Sequence, residues 1–95
     1  MSPLDREALR RRIAETGKAD VGPRENRVGI ARRGEDSFAV LNGGTGWDMT
    51  EALTRDGEWE MEPRTSDRDE EFLARARFPL DEAFDQADRL LGDGA

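Results

Sequence analysis

Leu53-Thr54-Arg55-Asp56-Gly57-Glu58-Trp59-Glu60-Met61 reads as two strand ends around a turn, and the register of that turn decides the fold. A two-residue loop at Asp56-Gly57 would set Trp59 opposite Thr54, on the face of Asp48 and Thr50. Side chains alternate along a strand, so that slip of one residue would send Trp59 to the polar side. A three-residue loop, Arg55-Asp56-Gly57 with Gly57 left-handed in a bulge, pairs Leu53 with Trp59 instead. It keeps Trp47, Met49, Leu53, Trp59 and Met61 on one face, and this is the register adopted.

Upstream the same period of two continues. Val28 and Ile30, Phe38 and Val40, then Trp47 and Met49 alternate with smaller or more polar neighbours. Gly43-Gly44 as a two-residue turn pairs Asn42 with Thr45, Val40 with Trp47 and Phe38 with Met49. Downstream, Pro63 ends the fourth strand and 64–69 form a polar loop. Segment 70–78 fits two readings. As a strand it turns Phe72, Ala74, Ala76 and Phe78 inward and sets Arg75 and Arg77 across from Glu58, Glu60 and Glu62. As a helix it has Ser66 as a cap and good intrinsic helix formers. The charge matching favours a fifth strand.

Helices bracket the sheet. Ser2, Pro3 and Asp5 give a cap, a first helical proline and an acidic first turn; Leu9 and Ile13 form a narrow stripe, and Gly17 is the stop. Residues 18–26, with Gly22-Pro23 and no period, read as a connector. At the other end Pro79 opens a helix whose Leu80, Ala83, Phe84, Ala87, Leu90 and Leu91 share a face, closed by Gly92. The expectation is one α+β domain over 1–95: an N-terminal helix at 1–17, an antiparallel meander of four to five strands at 27–78, and an amphipathic C-terminal helix at 79–92.

Composition removes most chemistries. The chain has no cysteine and no histidine, so thiolate metal sites and the commonest general base are absent, and Ser37 and Ser66 have no imidazole to activate them. The lone lysine, Lys18, lies in the connector with nothing apolar to depress its pKa. Asn42-Gly43-Gly44-Thr45-Gly46 lacks the Lys-Ser/Thr ending of a phosphate loop. No enzyme, cofactor or metal is expected. No apolar run is long enough to span a membrane and the N-terminus has no signal-peptide pattern, so the reading places the protein in the cytoplasm.

Charge is the strongest remaining signal. With 22 acidic and 15 basic side chains the net charge is −7, and charged residues, at 39%, outnumber the 35% that are hydrophobic. Fourteen of the fifteen cations are arginine. Acidity with arginine bias is also what a high-GC genome or a saline cytosol produces. The charge is bipolar: residues 1–33 carry nine basic and five acidic side chains, residues 34–95 six basic and seventeen acidic. Glu51, Glu58, Glu60, Glu62, Asp67 and Asp69 are the candidate partner-binding face, by complementarity with a basic protein. Three glutamates along one strand lie roughly 7 Å apart in line and do not converge on a cation. Arg6, Arg10, Arg11, Arg12, Arg32 and Arg33 form the alternative basic patch, although neighbouring arginines on a helix splay by about 100°.

No family motif is present. The functional expectation is a non-enzymatic, acidic protein-binding module, an inhibitor, antitoxin-like or regulatory protein docking on a basic partner. The alternatives are a homo-oligomer joining its basic and acidic ends, or a weak nucleic-acid contact through the arginine-rich first third, which the overall acidity disfavours.

Overall fold

The computed structural model describes residues 5–46, 50–63 and 69–92. Along the chain run α1 (Arg6–Thr16), β1 (Lys18–Val21), β2 (Val28–Gly34), β3 (Ser37–Asn42), β4 (Glu51–Leu53), β5 (Trp59–Met61), α2 (Glu70–Ala76) and α3 (Leu80–Gly92). The five strands form one antiparallel sheet in sequence order, with helices before and after it, so the α+β reading holds.

The sheet is apolar on both sides. Four consecutive residues of β2, Val28 to Ala31, and four of β3, Phe38 to Leu41, are buried, which requires cover on each face. On the first face Ala19, Val21, Val28, Ile30, Phe38, Val40 and Leu53 pack with Ile13 of α1 and Ala83, Phe84 and Ala87 of α3. On the second, Ala31, Ala39, Leu41 and Ala52 pack with Phe72 and Ala76 of α2. The three phenylalanines below 2% exposure, Phe38, Phe78 and Phe84, each contribute about 1.5–3 kcal/mol by burial.

Four readings from sequence are corrected. Residues 18–21 are a strand, not part of a connector: Ala19 and Val21 alternate with Lys18 and Asp20, and pair with Ile30 and Val28. Four residues with two small apolar groups gave too short a period to see. The turn at Gly43-Gly44 does not return the chain into a two-residue hairpin. Both glycines have positive φ, but the segment folds back across the sheet, with Thr45 N–H donating to Asp20 Oδ1 at 2.7 Å and Gly43 N–H to Arg27 O at 2.9 Å. β3 then meets β4 with Leu41 opposite Ala52. Trp47 and Met49 lie outside the described residues. Gly29 makes this crossing possible, because a Cβ there would stand 2.7 Å from the Gly44 carbonyl carbon.

Segment 70–76 is helical, so the fifth strand is β1 and not 70–78. Asp69 caps α2 by accepting from Phe72 N–H at 2.8 Å; Ser66, the cap inferred from sequence, lies outside the described residues. Phe72 and Ala76, four apart, bury together as a helix face demands. Only Phe78 behaves as strand, exchanging backbone hydrogen bonds with Phe38 at 2.8 and 2.9 Å. The fourth correction concerns α1: its cap is Asp5, which accepts from Ala8 N–H at 3.1 Å, while Ser2 lies outside the described residues.

Other readings stand. Leu53 faces Trp59, Gly57 has φ 85°, and Thr54 and Glu58 close the hairpin. α1 ends at a left-handed Gly17, and α3 buries Ala83, Phe84 and Ala87. The start of α3 is satisfied from a distance, Leu80 N–H donating to Asp36 Oδ1 at 3.1 Å from the β2–β3 turn.

Candidate partner-binding face

β5 is a terminal strand of the sheet, and its glutamates stand on the α2 side. α2 brings Arg75 to Glu60 as a two-pronged hydrogen bond, at 2.8 and 2.7 Å. Those bonds hold the Glu60 carboxyl below its ordinary range, outweighing the opposing effect of desolvation, and raise Arg75. Glu62, just past β5, is 7% exposed and lies 2.8 Å from Arg77, itself 5% exposed, and 3.3 Å from Arg33. The cross-strand pairing inferred for Arg75 and Arg77 is therefore met with the right charges, delivered by a helix and its exit instead of a strand.

The six acidic candidates do different work. Glu51 accepts from Asn42 Nδ2 at 3.1 Å, Asp69 caps α2, and Asp67 lies outside the described residues. Glu58 is exposed at the start of β5, beside Asp56, a hairpin-tip carboxylate that the sequence reading passed over. Asp56, Glu58, Glu60, Thr54, Trp59 and Arg75 line a cleft of about 290 Å³ at the end of the sheet. Trp59 is half-buried there, its inner part packed against the core. The exposed carboxylates Asp56 and Glu58 suit a cationic side chain by charge.

The basic candidates are dispersed. Arg6 pairs with Asp85 at 2.8 Å and Arg10 with Asp81, so α1 is tied to α3. Both guanidinia also lie over the Phe84 ring, at 5.7 and 5.3 Å. Arg11 and Arg12 are exposed on α1, Arg32 lies over Phe38 at 5.3 Å, and Arg33 meets Glu62. Lys18, Arg32 and Arg33 do share a second cleft, of about 460 Å³, with Thr16, Thr45 and Thr50.

Among the described residues no group of three or more carboxylates is placed to hold a metal ion, and no helix is long and apolar enough to cross a membrane. No protein-family model, curated protein or solved structure matches the chain.

Proposed function

We propose that this chain is a non-enzymatic, cytoplasmic protein-binding module, of the inhibitor, antitoxin-like or regulatory kind, that docks an acidic face on a basic partner. The observation carrying the reading is the cleft at the β4–β5 end, where Asp56, Glu58 and Glu60 are lining residues and the half-buried Trp59 lies between the two glutamates in the strand, its side chain turned to the opposite face. Tryptophan is over-represented at interface hot spots, and complementary charge speeds encounter. The acidic face inferred from sequence contracts accordingly. Its carboxylates open to a partner are Asp56 and Glu58, because Glu60 is held by Arg75 and Glu62 and Asp69 serve the fold.

The test is capture from the host's own lysate by the tagged protein, beside a variant carrying Asp56→Lys and Glu58→Lys. Both positions are exposed, so circular dichroism should be unchanged. A single basic protein retained in stoichiometric amount by the wild type, released as salt rises and missing from the variant, is the expected result. A partner retained equally by both would remove this face from the reading.

A further inference from the structure

Building on that reading, we propose that the partner engages as an extended strand added to the outer edge of β5, presenting cationic side chains to Asp56 and Glu58. Main-chain geometry carries the argument. Thr54 N–H donates to Glu58 O at 2.8 Å and Glu62 N–H to Thr50 O at 3.1 Å, which makes 54/58 and 50/62 hydrogen-bonded pairs. In an antiparallel ladder the pairs between them alternate, so Glu60 bonds toward β4 while Trp59 and Met61 turn their N–H and C=O groups away from it. Two donors and two acceptors are thus aligned on a terminal strand of the sheet, which is the template for strand addition.

The opposite edge shows what a guarded one looks like. Arg32 N–H bonds to Gly17 O, so on β1 the outward positions are Lys18 and Asp20, one of each charge. Charged outward residues deter edge pairing. On β5 the outward positions are instead Trp59, half-buried, and Met61, at 49% the most exposed large apolar side chain among the described residues.

Charge selects the occupant. A strand laid beside β5 places alternate residues against Glu58 and Glu60, and the others against Trp59 and Met61. The matching ligand is an extended segment alternating cationic and apolar residues. A second copy of this chain would set glutamate opposite glutamate, which is repulsive.

The probe is a short fluorescent peptide alternating arginine with valine, with two N-methylated forms. One form is methylated on the residues whose N–H groups face β5, the other on those facing away. Strand addition predicts that only the first methylation weakens binding, by about tenfold, the effect of one or two lost hydrogen bonds. Met61→Pro should weaken the parent peptide similarly, since it deletes an outward N–H and no bond to β4; Glu58→Lys should weaken all forms. The methylated peptides need no altered protein, so misfolding of the proline variant leaves the test intact. Equal binding of both methylated forms, with loss on Glu58→Lys, would overturn strand addition and leave acidic docking standing. No binding of the parent peptide would overturn the strand proposal alone, the lysate capture judging the wider reading. A dimer in sedimentation that Met61→Pro dissolves would overturn it in favour of a second copy.

Discussion

Replacing Glu62 with alanine removes a carboxylate 2.8 Å from the Arg77 guanidinium, where the two side chains are 7% and 5% exposed. Arginine does not deprotonate in proteins, so the charge left behind stays a charge. Cutting a buried pair from one side costs about 3–5 kcal/mol, a large part of the roughly 5–15 kcal/mol that holds a domain together. The opposite cut, Arg77→Met, should be milder. Arg33 remains 3.3 Å from Glu62, and methionine refills apolar volume beside the Phe72 ring that Arg77 covers at 5.2 Å. A loss of about 1–3 kcal/mol is expected for it. The double variant Glu62→Met/Arg77→Met should recover most of the loss, because a buried pair replaced by apolar groups is often neutral. Urea unfolding followed by tryptophan fluorescence reads these differences. With a slope of about 1.5 kcal/mol per molar, Glu62→Ala should move the midpoint down by about 2–3 M. A shift under about 0.5 M, or a larger loss for Arg77→Met than for Glu62→Ala, would refute the argument that this pair is an enclosed structural element.

Two further outcomes follow from named contacts. Glu60, held below its ordinary value of 4.5 by Arg75, stabilises the fold above that value and loses the contribution as pH falls from 4.5 through its lower native value. The stability difference between wild type and Glu60→Gln should therefore shrink between about pH 7 and about pH 3 in thermal melts, and a constant difference would contradict the pairing. Gly29→Ala should cost about 1–3 kcal/mol by overpacking, since its Cβ would fall 2.7 Å from Gly44 backbone. Gly34→Ala, whose Cβ meets nothing nearer than Ser37 Cβ at 3.4 Å, is the control, within about 0.5 kcal/mol in the same urea assay.

What the sequence disclosed follows the strength of each local signal. α3 was legible because six apolar residues recur at helical spacing, and the β4–β5 hairpin because a misplaced Trp59 would have been costly. Segment 70–78 misled because Phe72 and Ala76 suit either period, and the arginine–glutamate match that favoured a strand is made equally well from a helix packed on the sheet and its exit. The Gly43-Gly44 turn misled for a different reason. Its positive φ values are real, but Asp20 and Arg27, over fifteen residues away, capture the loop, and no local pattern records that competition. The acidic strip was legible as charge and illegible as function, since only the fold shows that Glu62 faces Arg77 while Glu58 faces solvent. Nor does composition reveal which edge of the sheet is unguarded, because that depends on the parity of the ladder.

A sheet that is apolar on both sides also constrains how the chain is made. Synthesis proceeds from the N-terminus, and all five strands are complete at Met61, before any of the residues of α2 and α3 exist. Ile13 and Leu9 of α1 are available early to shield the first face; Leu41 and Ala52 wait for Phe72, and Phe38 for Phe84. The emerging meander therefore carries two sticky surfaces and two open edges for the time it takes to add the last third, which is when such species associate. Up to Met61 the chain carries twelve acidic and ten basic side chains, so charge repulsion does little to keep those surfaces apart, and the arrival of α2 and α3 is what ends their exposure.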